Sequence, residues 1–559
     1  MPAAAVHELS DQVWERILAR DPSAALRCGR QVDALPRGGP GELAENVSFA
    51  RAMLRELAGM GGVQAAFLRD HLEHELAEEQ RFWYRFPVTP YNALTLSGYR
   101  SEIFATAELR AASDVDRYLK LLDDYAAVVE QLGETMAGQR SRGIRLPAWA
   151  VPAASATVRG HAGASSELVV PPGRRAGLAP GPAGRLADGV PRILQGRLAA
   201  AFQRLLADLA ADERAAGEQT AGASAGGGRA GGERAGGGRA GGGDTGIGQY
   251  PGGAECYAGL IRLHTGLDLS ADEIHATGLA EVERITAAIS DELGITDEAG
   301  YRAQLAADPA MYAQSPADVE RVFSSHIDRL LPVLPRYFSR LPAAPFRLRP
   351  LDAALSGLTY GYYDAPGADA DGAGYYCYNV ANLPERPLLQ AASVIYHEGM
   401  PGHHLQIGLL MEDTALHPIR RVPTELRTFA LNGYTEGWAE YAAGFCDEIG
   451  LYADPVDRYG RLSAERFQAA RLVLDTGLNV LGWSRERAAA YLRVNGFMAE
   501  AEIDTELLRY ALDDPGQALA YHLGHWYLRK LRGSRDAREF HEAVLAEGPL
   551  PLAILGQYA

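Results

Sequence analysis

Apolar residues recur at three- and four-residue steps along most of the chain, most clearly over 43–83, 101–138, 189–213 and 271–295. That period predicts amphipathic helices, each with one buried face. Two stretches break it: 345–363 (PFRLRPLDAALSGLTYGYY) and 373–382 (AGYYCYNVAN) are short, aromatic and bounded by Gly, Pro or Asp, as strands are. The expected fold is mainly α with a small β-sheet beside the site. Residues 219–247 carry repeated Gly-Gly-Gly-Arg-Ala units with too little apolar surface to offset the entropy of ordering, and read as a flexible surface insertion. A shorter Pro- and Gly-rich loop is expected over 171–188. The organisation is thus an N-terminal helical region 1–218, the insertion 219–247 and a C-terminal region 248–559 that holds the chemistry.

Composition narrows the classes. Hydrophobic residues make up 47% of the 559 and charged residues 22%, enough to bury a sizeable core. A net charge of −17 argues against a phosphate backbone or an anionic bilayer as partner, since both need clustered cations. Cys28, Cys256, Cys377 and Cys446 are far apart with no CxxC pair, so neither a disulfide framework nor a thiolate metal site is indicated. The N-terminus lacks the basic start and apolar run of a signal peptide, and no segment is apolar for about 18 residues. A soluble cytoplasmic protein is the expectation.

The chemistry concentrates in His397-Glu398-Gly-Met-Pro-Gly-His403-His404. Zinc hydrolases place two histidines one helical turn apart as HExxH, with the intervening Glu acting on a water at the ion. Here the spacing is stretched. On an unbroken helix a step of six residues turns the second ring away by about 120°, and a step of seven separates the two by about 10 Å along the axis. Neither fits one ion. Pro401 cannot donate to the carbonyl of His397, and Gly399 and Gly402 flank it with permissive backbone, so the helix should break there. The break brings His403 beside His397 and leaves His404 to orient ligands or contact substrate; the alternative exchanges the two neighbours. A third ligand is expected from the helix over 424–449, where Glu436 leaves one position open for water and Glu440, one turn on, can hydrogen-bond a ligand histidine.

YHEGMPGHHLQ, YTEGWAEYA, RLVLDTGLNVLGWSRERA and DPGQALAYHLG resemble successive signatures of domain-of-unknown-function family 885, bacterial proteins similar to the helical gluzincin metallopeptidases. The matching motifs run from about 373 to 531, with a weaker match near 251–285. The resemblance implies a large helical metallopeptidase-like fold enclosing a deep channel, one Zn2+ per chain held by His397, His403 and Glu436, and Glu398 as catalytic base. Three places depart from the family pattern, at Asn479, at His522 and in EGWAEYAA, so the family's roles there are not carried over.

These residues suit amide hydrolysis. Glu398 takes a proton from the attacking water and returns it to the leaving amine, while a tyrosine supplies a second donor to the oxyanion. Tyr521 and Tyr376 rank first for that role, ahead of Tyr375, Tyr378 and Tyr510. His522, Arg509 or Arg529 would hold a substrate carboxylate, as in a carboxypeptidase. Asp475 is expected to orient a ligand histidine, and Asp514-Pro515 to open a helix as N-cap and first residue. Three readings stand: a peptidase for short peptides, a tailoring amide hydrolase for one small metabolite, and a noncatalytic metal-binding protein.

Overall fold

The computed structural model describes residues 2–225, 245–351, 360–366 and 372–558. Its longer helices are α1 (Pro2–Arg20), α2 (Pro40–Glu56), α3 (Val63–Arg81), α4 (Ala112–Ser141), α5 (Ala199–Ala225), α6 (Gly253–Thr265), α7 (Ala271–Leu293) and α8 (Pro316–Leu330). After three strands come α9 (Ala391–Glu398), α10 (His403–Glu412), α11 (Glu425–Glu448), α12 (Pro455–Asn479) and α13 (Leu519–Arg532).

Several starts are written in the sequence. Ser270 accepts the N–H of Glu273, whose carboxylate answers the N–H of Ser270, and Gly294 closes α7 in the left-handed conformation. Ser315 before Pro316 and Asp454 before Pro455 cap α8 and α12 in the same manner, with proline in the first helical position. The helix expected over 43–83 is instead two, because Gly59 and Gly62 take φ of 77° and 93° between α2 and α3. The loop expected over 171–188 is partly helical, since Pro180–Arg192 forms a helix with proline at its first turn. Of the insertion expected over 219–247, residues 219–225 continue α5 and 226–244 lie outside the described residues. Its far end is packed: Thr245 Oγ1 donates to the Trp483 carbonyl at 3.1 Å, and the Ile247 N–H to Asn479 Oδ1 at 3.1 Å.

The sheet has the order β1 (Phe346–Pro350), β3 (Gly374–Tyr378), β2 (Gly361–Asp364). β1 runs parallel to the central β3 and β2 antiparallel, with Leu348 and Tyr363 both opposite Tyr376. The core is continuous from Val6 to Leu555 and joins the N-terminal helices to α9–α13. Glycines bring its central helices together. A Cβ on Gly278 of α7 would sit 2.7 Å from Leu472 Cβ of α12, and one on Gly437 of α11 would sit 2.5 Å from the Cα of Gly524 in α13. Among the described residues no helix is long and apolar enough to cross a membrane.

Candidate metal centre

α9 ends on Glu398 and α10 begins on His403, so the expected break is a short loop of four residues between two helices. Glycine is required in it. A Cβ on Gly402 would lie 1.8 Å from the His397 carbonyl oxygen, and one on Gly399 2.8 Å from that of Ile395. Trp438 of α11 ties the loop down by donating its Nε1–H to the Pro401 carbonyl at 3.0 Å. The outcome is two imidazoles with ring centres 4.7 Å apart at 85°, the first on the last turn of one helix and the second on the first residue of the next.

Glu436 stands between them. Its Oε2 is 3.3 Å from His397 Nε2 and 3.4 Å from His403 Nε2. A charge-assisted hydrogen bond closes to about 2.7–2.9 Å, so these gaps are wider than direct pairing gives. Donors on neighbouring corners of a tetrahedron with metal–ligand bonds of about 2.0–2.2 Å are separated by roughly 3.3–3.6 Å. The three donor atoms, all within 4.8 Å of one another, therefore fit the ligand set of one zinc-sized ion. Glu440 Oε1 lies 3.1 Å from His397 Nδ1 and accepts from Gln468 Nε2 at 3.0 Å, which places it behind the ligand histidine.

Burial and charge oppose each other here. Burial alone would lower the pKa of His397, but Glu436 and Glu440 outweigh it and hold the imidazole well above its ordinary value. Burial would likewise raise Glu436, yet His403 and His397 keep it below the usual carboxylate range. At Glu398 burial prevails over both histidines, with repulsion from Glu436 and Glu440 in support, and its pKa rises.

A cavity of about 890 Å³ opens onto these groups. His397, His403, Glu398, Glu436 and Glu440 line it, as do Tyr521, Tyr376 and Arg509. The Tyr521 ring lies nearly parallel to His397 at 6.2 Å. Tyr376 is buried in β3, where its ring meets Phe323 edge-on at 5.5 Å. Four expected site residues stand elsewhere. His404 turns away from the cavity, with Nδ1 2.9 Å from Tyr363 Oη and Nε2 3.0 Å from the Ala344 carbonyl, so it braces the sheet. Asp475 touches neither histidine; it accepts from Tyr257 Oη at 2.6 Å, from Asn479 Nδ2 at 3.2 Å and from the Gly516 N–H at 3.0 Å. Tyr510 is buried behind the cavity wall, where Arg471 Nε donates to its hydroxyl at 2.9 Å. His522 faces Glu281 of α7 at 3.3 Å and does not line the cavity. The helix expected from Asp514 begins at Leu519 instead, because Gly516 takes φ of 88° and spends its N–H on Asp475.

Sequence reasoning missed Arg471 and Glu506, both in the cavity wall and paired at 3.0 Å. The signal was a single arginine inside the apolar run AARLVL, since a charge on a buried helix face needs a partner. A second cluster of possible ligands, His7, Asp11 and His417, lies at the surface near α1. There His417 Nδ1 accepts the Ile419 N–H at 3.1 Å, which leaves the proton on Nε2, 3.1 Å from Asp11 Oδ1. That tautomer caps a helix and pairs with a carboxylate; it offers no lone pair to an ion.

Fold and site together define a mainly α-helical protein in which two histidines and a glutamate face a large cavity. The chain belongs to the family described as "Bacterial protein of unknown function (DUF885)", whose model matches residues 22–558. Its fold is similar to that of a "putative lipoprotein" from Colwellia psychrerythraea, with 22% identity, a TM-score of 0.78 and coverage of 99% of this chain and 97% of that one. A "putative lipoprotein of unknown function" from Shewanella oneidensis is 17% identical with a TM-score of 0.68, covering 100% and 99%. No curated protein matches the chain in sequence.

Proposed function

We propose that the protein is a zinc-dependent amide hydrolase, and specifically a peptidase acting on short peptides. The observation that carries this reading is the spacing of Glu436 Oε2 from the two imidazole nitrogens, 3.3 and 3.4 Å, beside a glutamate that belongs to no ligand pair. When bound, the ion supplies Lewis-acid polarisation of a carbonyl and lowers the pKa of a water. His397, His403 and Glu436 hold it, and Glu440 fixes the orientation of His397. Glu398, raised in pKa by burial, takes the proton of the attacking water and passes it to the leaving nitrogen. Tyr521 and Tyr376 face the same cavity and donate to the oxygen on which charge develops. The likeness of the His397–His404 segment to the HExxH pattern of zinc hydrolases supports the same chemistry. Four unpaired cysteines, three of them buried, suit a reducing compartment, and we place the protein in the cytoplasm.

Metal content by mass spectrometry, for the parent protein and for His397→Ala and Glu436→Ala, tests this together with hydrolysis of a mixed peptide library. About one zinc per chain is expected, lost in both variants along with cleavage. Turnover of one small amide but no peptide would instead favour a tailoring hydrolase. A parent protein without stoichiometric metal overturns the assignment.

A further inference from the structure

In the same cavity wall, two guanidiniums share one carboxylate, Glu506. Every nitrogen of Arg471 has a partner: Nε donates to Tyr510 Oη at 2.9 Å, Nη1 to Gln468 Oε1 at 2.8 Å and Nη2 to Glu506 Oε2 at 3.0 Å. Glu506 also accepts the Tyr510 hydroxyl. Arg509 reaches that same carboxylate only from 3.7 Å. Its Nη2 donates to Gln517 Oε1, its guanidinium carbon lies 5.2 Å from the centre of the Tyr91 ring, and its buried Nε has no hydrogen-bond partner among the described residues. Of the other carboxyls that line the cavity, Glu502 pairs with Arg386 at 3.1 Å, and Asp514 is 3.4 Å from His264 Nε2, with burial pushing its pKa up to about 7. Arg509 is thus held more loosely than Arg471, with hydrogen-bonding capacity to spare. A sheltered guanidinium in that state gains from a planar anion that can take two of its N–H groups at once.

Tyr521 fixes how far this wall stands from the histidines. Its ring centre is 6.2 Å from that of His397 and 4.7 Å from the guanidinium carbon of Arg471. An extended chain advances about 3.3–3.6 Å per residue, so the Arg471 guanidinium, beside which Arg509 shares Glu506, lies within about three residues of His397. We propose that Arg509 receives the terminal carboxylate of the substrate, with Glu506 and Gln517 holding the guanidinium in place, so that the amide bonds presented to His397 and His403 are those nearest a carboxyl end. The proposal rests on the reading of His397, His403 and Glu436 as a hydrolytic centre, and it makes the enzyme a carboxypeptidase of short peptides.

The test is calorimetric titration of a tripeptide and of the same tripeptide as its C-terminal carboxamide, in the Glu398→Gln background where cleavage is slowed. The free acid is expected to bind roughly 10- to 100-fold more tightly, the range of a charge-assisted hydrogen-bonded pair. Arg509→Gln should bring that ratio close to one, and Arg509→Lys, which keeps the charge but not the fork, should leave it intermediate. Equal affinities, or no measurable affinity for either peptide, overturn the anchor, as does a ratio that survives in Arg509→Gln. The comparison between the two peptides needs no altered arginine, so it decides the matter even if both variants fail to fold. A preserved acid preference without cleavage of any peptide by the parent protein would uphold the anchor and remove the hydrolase reading alone.

Discussion

Glu398 and Glu436 bring the same carboxylate into the same cavity, and their surroundings give them opposite characters. Glu436 lies between two imidazoles and stays ionised, while Glu398 is dominated by burial and is drawn toward neutrality. Glu398→Gln should therefore keep the metal and slow peptide cleavage by about 10²- to 10⁴-fold, whereas Glu436→Gln should lose metal and activity together. Metal analysis beside single-turnover kinetics separates the two, and loss of metal from Glu398→Gln would move that residue into the ligand set. The grouping of His397, His403 and Glu436 was legible because Pro401 and its glycines announce the break that a stretched motif needs. Asp475 and His522 were not, because a helical sequence shows which residues share a face but not what that face meets. Asp475 meets Tyr257, 218 positions away, and His522 meets Glu281, 241 away by numbering.

Between elements, the contact that matters most to the site is the crossing of α11 and α13. Gly437 and Gly524 let the two backbones touch, and this sets Glu436 and Glu440 of one helix against Tyr521 of the other across the cavity. Gly437→Ala would force a methyl group to within 2.5 Å of the Gly524 Cα. We expect a loss of about 1–3 kcal/mol in stability and weaker metal retention, read from thermal melts and from dialysis against a chelator. A variant with unchanged melting and metal content would mean the crossing yields freely. The helices themselves were visible in the three- and four-residue period. Their ends were missed where backbone conformation decided them: at Gly59 and Gly62, and at Gly516, whose left-handed turn delays α13 to Leu519.

In the molecule as a whole, the N-terminal helices contribute no ligand to the centre yet are fastened to it at Asp513. That carboxylate accepts from Thr89 Oγ1 at 2.5 Å and from the N–H groups of Tyr91 and Asn92 at 2.8 and 3.1 Å. Asp513→Ala removes the acceptor of two half-buried backbone N–H groups and one of two acceptors of the Thr89 hydroxyl, and should cost about 1–3 kcal/mol, measured by urea unfolding; a cost near zero would show that water replaces the carboxylate. Sequence gave no sign of this joint, since its partners are more than 400 residues apart. The same turn, Arg509–Asp513, carries Arg509 at one end and Asp513 at the other, with Tyr91 against the guanidinium. A ligand on Arg509 and the docking of the N-terminal helices at Asp513 therefore act on one short turn. Coupling free energies are reciprocal: whatever a ligand there does to that docking, the docking does to the ligand's affinity by the same amount.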